Sequence, residues 1–401
     1  MNPLPGFRDF LPETFAVRRH LFETWRATAR RYGFREYDGP PLEPLELYTL
    51  KSGEEIVRQL YHFTDKGDRA VALRPEMTPT LARMAGAAHR LYKKPIKWFA
   101  IPQLFRYEKQ QRGRLREHFQ FNADIIGETD VGADAELIAL AVDALRALGL
   151  TERDFVVRVS DRRAWQRHLA GLGLTEEQQY AAIQAVDKIE REPLEKTREK
   201  LGPVADAVLA FSRQREPREE LAELFARLGS LATYAEVDFK IVRGLAYYTG
   251  IVWEIHDRKG ELRAIAGGGR YDNLLKVVSG VDLPALGFGM GDVVLTELLK
   301  DRGLLPTADA GLDCFVVIAD ESLRLPALEW IHGLRGAGIA LDYALAPEKV
   351  GKQFQRAAAL GARFAVVVGA AEWPAGEVTL KNMATGAAER VPLADVVKKI
   401  S

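Results

Sequence analysis

Leu21, Phe22, Trp25, Ala29 and Tyr32 recur at spacings of three and four, which predicts an amphipathic helix over residues 13–32, stopped by Gly33. FREYDGPPLEP follows as a short strand broken by prolines. FTDKGD at 63–68 has turn chemistry, and VALRPEMT at 71–78 reads as a strand that feeds the helix TPTLARMAGAAHRLY. Residues 97–108 and 115–126 predict two strands joined by the turn KQQRGR. DAELIALAVDALRALG at 134–149 predicts a helix, and 155–160 a further strand.

From about 161 to 230 the pattern is helical and rich in Arg and Glu, as in DKIEREPLEKTREKLG. This segment is expected to be an inserted helical module; the alternative is that it belongs to one large domain. Strand patterns return at 238–257 and 261–266, followed by the glycine run AGGGRYD, and ALGFGMGDVVLTELLKDRGLLP runs from a glycine-rich strand into a helix. Residues 304–313 resemble a linker. After them, strand and helix patterns alternate, which predicts a separate α/β domain. The expected division is 1–155, 156–232, 233–303 and 311–401.

The 401 residues allow two or three domains, and 47% hydrophobic composition supports a substantial core. Lys plus Arg and Asp plus Glu balance at 56 each, which argues against a protein that coats nucleic acid non-specifically but permits a local basic patch. The lone Cys314, in the apolar run CFVVI, has no internal disulfide partner and is expected to be a small buried hydrophobe. The N-terminus lacks the layout of a secretion signal, and no apolar run approaches the roughly 20 residues of a membrane span. A soluble cytoplasmic protein is expected.

Alternation along 115–126 puts Arg116, His118, Gln120, Asn122 and Asp124 on one face and Phe119, Phe121, Ala123 and Ile125 on the other. One reading is an antiparallel sheet with a solvated side. The other is a site wall, because guanidinium, imidazole, amide and carboxylate side by side suit a phosphate and a zwitterion. Similar chemistry recurs elsewhere. Glu76 and Thr78 lie two apart at a strand end and share a face. Arg243, Tyr247 and Tyr248 are embedded in apolar sequence, where a buried arginine requires partners, whether a structural salt bridge or a ligand. The glycines of AGGGRYD permit close backbone approach to a ligand, or simply a turn.

Together, PGFRDFLPE, FRYEKQQRGRLREHFQFNADIIG, RGLAYYTGIVWE, AGGGRYDNL and GKQFQRAAALGARFAVVVG resemble the histidyl-tRNA synthetases. The resemblance implies an α+β fold with the antiparallel sheet of a class II synthetase, flanking helices, a helical insertion and a C-terminal α/β anticodon-binding domain. The insertion, from VRVSDRRAW to AVDKIERE, is more similar to the eukaryotic-type version. The implied activity is ATP-dependent formation of histidyl-adenylate and transfer to tRNA(His), with Mg²⁺ on the polyphosphate and a homodimeric state. By the same resemblance Arg106 and Arg243 contact the α-phosphate and the histidine carboxylate, Arg114 the distal phosphates, and Glu108 the adenine. Glu76, Thr78 and Gln120 receive the α-ammonium, Asp124 and Tyr248 the imidazole nitrogens, and Tyr247 and Tyr271 line the same pocket.

The sequence also departs from the family pattern. In GMGDVVL, Val294 stands where the third class II motif has an arginine that binds the terminal phosphate. Asp124 replaces the usual glutamate, and Ala246 an aspartate; plant-organelle-like members resemble this chain there. The competing readings are a non-catalytic regulatory relative, such as the synthetase-like subunit of ATP phosphoribosyltransferase, and a tRNA-binding paralogue.

Overall fold

The computed structural model describes residues 1–49, 59–109, 111–190, 192–243, 247–306 and 311–400. Ala246 and positions 307–310 of the expected linker lie outside them. The chain divides into two compact units, 1–306 and 307–401.

In chain order the first unit carries β1 (Arg35–Glu36), β2 (Leu42–Pro44), β3 (His62–Thr64), β4 (Ala70–Leu73), β5 (Ile96–Ala100) and β6 (Gln103–Phe105). It continues with β7 (Glu117–Ile126), β8 (Phe155–Asp161), β9 (Ala235–Val237), β10 (Ile251–Asp257), β11 (Ala266–Arg270) and β12 (Ala285–Gly291). β2, β3 and β4 form a small antiparallel sheet. The other strands form one sheet in the order β1-β5-β7-β12-β11-β10-β8-β9, with β6 also paired to β7. Its central pairings, from β5 across to β8, are antiparallel, and the outer pairs β1–β5 and β8–β9 are parallel.

β7 lies at the middle of this sheet and follows the alternation of its sequence. Phe121, Ala123 and Ile125 enter the main core, which leaves His118, Gln120 and Asp124 on the opposite face. The helix Pro12–Arg31 opens on a proline, has Glu13 in its first turn and ends on Arg30 and Arg31, as the helix dipole favours. Its apolar stripe is buried within its own chain: Trp25 stacks on Phe121 with ring centres 5.7 Å apart, and Phe22 meets Phe119 at 5.2 Å.

Three expectations are corrected. The strand predicted over 97–108 is two short strands, β5 and β6, because Pro102 offers no N–H to continue the ladder. The strand expected at 238–257 is confined to β10, preceded by the short β9. The one expected at 261–266 lies instead on the glycine run as β11, where Gly267 pairs with Glu254 and Gly268 with Phe288. Glycines carry no hydrophobic alternation, so the pattern could not mark that strand.

The helical segment runs between β8 and β9, from the helix Arg162–Gly171 to the helix Glu220–Leu228. Its apolar residues Trp165, Leu169, Val186, Val208 and Leu224 belong to the same core cluster as Phe121 and Phe155. They therefore bury their surface against the sheet unit rather than around a centre of their own.

In the second unit, β13 (Cys314–Ile318), β14 (Leu341–Tyr343) and β15 (Phe364–Val368) are parallel, with β16 (Glu377–Asn382) and β17 (Ala388–Pro392) added antiparallel. Cys314, Val316 and Ile318 pack into one cluster, Phe315 and Val317 into another. Both faces of β13 are covered, which explains its unbroken apolar run. Burial pushes the Cys314 thiol up to about 12, so the cysteine is an inert core residue.

The N-terminal segment is fastened by charge. Arg8 Nε donates to Glu117 at 2.6 Å and its Nη1 lies 2.9 Å from Asp292, both carboxylates being buried. Gln103 also donates to Glu117, and Asp292 accepts the Phe119 N–H. Arg8 thus joins β7 to the helix Asp292–Asp301. Arg8→Ala strands two buried carboxylates and is expected to lower stability by about 3 kcal/mol in denaturant unfolding at neutral pH. A loss under about 1 kcal/mol would show that neither carboxylate depends on Arg8.

Candidate active site

A cavity of about 450 Å³ opens on the polar face of β7. Arg106 and Glu108, beyond β6, line it with Arg114, and with His118 and Gln120 of β7. Arg243, Glu254, His256 and Arg263 line it too, with glycines 267, 289 and 291 and with Val293 and Val294. Arg106 Nε donates to the Pro75 carbonyl at 2.8 Å, which fixes the stem of its guanidinium at the cavity wall. Arg114 is ion-paired with Glu108. Burial and the neighbouring Arg106, Arg8 and Arg114 push the His118 imidazole down to about 3, so it is neutral near pH 7.

Arg243 reaches the cavity in a strained backbone. Its φ is 50°, in the left-handed region that disfavours a side-chain-bearing residue. The buried Arg162 holds it there, donating to the carbonyls of Val242 at 3.0 Å and Arg243 at 3.1 Å. Arg243 Nη1 lies 3.2 Å from Glu254, whose other oxygen is 3.0 Å from His256 Nε2. The guanidinium also sits 5.3 Å from the centre of the Tyr248 ring. Its Nε is buried without a hydrogen-bond partner among the described residues. A Cβ on Gly267 would lie 1.5 Å from Arg243 Nη1. The cation occupies space that only glycine leaves open.

Beside the cavity is a buried cluster. The Tyr271 hydroxyl donates to Asp124, and Tyr247 donates to Glu76 at 3.3 Å. The rings of Tyr247 and Tyr248 are 4.7 Å apart, and those of Tyr247 and Tyr271 5.8 Å. Gly287 makes room for the carboxylate, since a Cβ there would lie 2.0 Å from Asp124 Oδ1. Burial raises the Asp124 carboxyl to about 7, and the Tyr271 hydrogen bond opposes that shift only in part.

Of the residues singled out from sequence, Arg106, Glu108, Arg114, Gln120 and Arg243 line the cavity. Glu76, Asp124, Tyr247, Tyr248 and Tyr271 form the adjoining cluster, joined to the cavity where Arg243 meets Tyr248. Thr78 opens the helix Thr78–Ala88, and no hydrogen bond among the described residues ties it to either group. Sequence reasoning missed Arg162, Glu254, His256 and Arg263, and it gave His118 a face but no role. Alternation of Glu254 and His256 along β10 was a usable signal; nothing local marks Arg162. Val294 is buried and lies 3.2 Å from where a Gly113 Cβ would be, so the cavity wall there is hydrocarbon.

Two family models match the chain: histidyl-tRNA synthetase over residues 6–292 and anticodon binding domain over 313–401. The chain belongs to the histidyl-tRNA synthetase family. A histidine–tRNA ligase from Opitutus terrae is 47% identical, with 97% of this chain and 95% of that protein covered. The chloroplastic/mitochondrial histidine–tRNA ligase of Arabidopsis thaliana is 41% identical over 99% of this chain and 86% of its own. The crystal structure of histidyl-tRNA synthetase from a Nostoc species superposes with a TM-score of 0.83 at 25% identity, covering 100% of this chain and 98% of that one. As a member of this family the chain is an aminoacyl-tRNA ligase that takes histidine, ATP and tRNA. Its fold is that of the class II synthetases with an anticodon-binding domain.

Gly267→Ala is expected to fold, because the displaced neighbour is a long side chain, yet to lose at least about ten-fold in activity as Arg243 is pushed aside. Steady-state turnover beside a thermal melt checks this, and full activity would show that the guanidinium does not need that space. Asp124 supplies a pH dependence. Its carboxyl is near 7 when folded and 3.8 when free, so its stabilising contribution is full below pH 4 and gone above about 7. Asp124→Asn should flatten this loss in urea titrations between pH 4 and 8; a slope unchanged from the wild type would mean that Asp124 titrates normally.

Proposed function

We propose that ATP binds this cavity with its α-phosphate between Arg106 and Arg243, and that the adjoining tyrosine–carboxylate cluster receives the histidine side chain. The observation that supports this is the convergence of two guanidinium groups, from distant parts of the chain, on one cavity beside a buried carboxylate. A histidine carboxylate oxygen attacks the α-phosphorus, the bond to the bridging oxygen breaks, and pyrophosphate leaves. The terminal hydroxyl of tRNA(His) then attacks the adenylate carbonyl, and AMP leaves. Neither step needs a covalent enzyme intermediate. Fixed positive charge and positioning carry the rate, and Arg243, which cannot act as a base, serves as an electrostatic clamp.

In this reading Arg114 exchanges Glu108 for the distal phosphates, and Glu108 turns to the adenine. Gln120, Glu76 and Thr78 take the ammonium group. Asp124 and Tyr248 meet the imidazole nitrogens, while Tyr247 and Tyr271 line the pocket. Among the described residues no cluster of three His, Cys, Asp or Glu side chains is placed to hold a metal ion, and Glu108 and Glu254 both face arginines. In this reading Mg²⁺ accompanies ATP on its polyphosphate.

The same reading divides the chain into a catalytic core at 1–155 and 233–303, a helical insertion at 156–232 and a tRNA-reading domain at 311–401. It makes the protein a homodimer, for which the exposed Leu42 and Phe63 of the small sheet offer apolar surface. It also places the protein in the cytoplasm; no helix among the described residues is long and apolar enough to cross a membrane.

Arg243→Ala is expected to cut histidine-dependent exchange of pyrophosphate into ATP by roughly 100- to 1000-fold, with histidine binding still measurable by calorimetry. Undiminished exchange would remove Arg243 from the reaction centre.

A further inference from the structure

We propose that Arg263 binds the pyrophosphate portion of ATP beside Arg114, supplying from the β10–β11 connection the positive charge that Val294 does not. This rests on the cavity being the adenylation site.

Four arginines line the cavity, and three are engaged by the protein. Arg106 donates to a carbonyl, Arg114 pairs with Glu108, and Arg243 pairs with Glu254. Arg263 is exposed, and no hydrogen bond or ion pair among the described residues occupies it. Its planar fork is thus available, and such a fork matches phosphate oxygens in pairs. The charge balance points the same way. Glu108 and Glu254 offset two of the four cations, and a polyphosphate brings about four negative charges with it, for which Arg263 supplies uncommitted positive charge.

Register within the sheet locates Arg263 relative to the reacting atoms. On β12, Gly287 pairs with Asp124 and Gly291 pairs with Gln120. Four residues of strand separate these points, roughly 13 Å at the usual rise. Gly291 N donates to the Ile265 carbonyl at 3.1 Å, so the connection that carries Arg263 enters β11 beside Gly291, and Arg263 lines the same cavity. Asp124 and the tyrosines mark the opposite end. With the histidine side chain held there and the α-phosphate between Arg106 and Arg243, the leaving group extends toward Gly291. At that end the helix Asp292–Asp301 contributes only Val293 and Val294 to the wall. Arg263 is the cation that can face the leaving group without abandoning a partner.

The test uses the full-length protein with Arg263→Ala and Arg263→Lys in pyrophosphate exchange. Arg263→Ala is expected to raise KM for both ATP and pyrophosphate by roughly 10- to 100-fold, the loss typical of a charged hydrogen bond. KM for histidine and calorimetric affinity for AMP should stay within about two-fold, and Arg263→Lys should recover part of the loss as a point charge. The exposed, unpartnered position predicts an unchanged melting temperature. Unchanged KM for ATP and pyrophosphate would overturn the assignment, and so would an equal loss of AMP binding, which would mean that Arg263 meets the nucleoside. If the wild-type protein itself shows no histidine-dependent exchange, the adenylation reading fails, a result distinct from an Arg263→Ala variant that matches an active wild type.

Discussion

Arg243 can stand where it does because Gly267 has no side chain. The guanidinium fills the volume a Cβ would take, 1.5 Å from its Nη1, and everything proposed for the site depends on that occupancy. Similar vacancies continue along the sheet. Gly287 admits the Asp124 carboxylate, and a Cβ on Gly289 would lie 2.5 Å from the Gln120 side chain. On this face the glycines of β11 and β12 therefore act as a floor without side chains, across which Arg243 and the polar groups of β7 extend. A floor of ordinary strand residues would fill the site.

Backbone strain and buried charge are concentrated around this floor. Arg243 keeps its left-handed φ because Arg162 binds the flanking carbonyls, and burial pushes the Arg162 guanidinium below its usual range, with no carboxylate among the described residues in an ion pair with it. An unpaired buried cation is costly, and it is tolerated here where it orients a second arginine. Other arginines are structural. Arg8 bridges Glu117 and Asp292, and Arg270, next in sequence to Tyr271, binds Asp134 at 2.6 Å and the carbonyls of Glu128 and Asp130. Arg270 anchors β11 to the helix Gly132–Arg146 while Tyr271 serves the neighbouring cluster. Adjacent residues of one motif thus do different work.

Much of this was legible in the sequence. The parity of β7 separated Phe121, Ala123 and Ile125 from His118, Gln120 and Asp124, because a strand next to a core must alternate. The helix at 12–31 announced itself by spacing, as did β13 and β15 of the C-terminal unit by their apolar runs. The glycine run was misjudged, because the strand it forms is defined by neighbours on both sides and not by its own side chains. Likewise, the extent of pairing between β5, β6 and β7 turned on Pro102, whose effect depends on which strand lies opposite.

Local chemistry, periodicity and family motifs determined the fold class, the polar face of β7 and most of the residues that meet at the site. They could not determine which guanidinium groups are already held by the protein and which remain available to a ligand. That depends on distances between segments far apart in the chain: Arg162 to the carbonyl of Arg243, Arg114 to Glu108, and the Arg263 connection to the end of β12. Periodicity reports which way a side chain points from its own element, but an electrostatic site is the sum of charges from several elements, and only their packing fixes that sum.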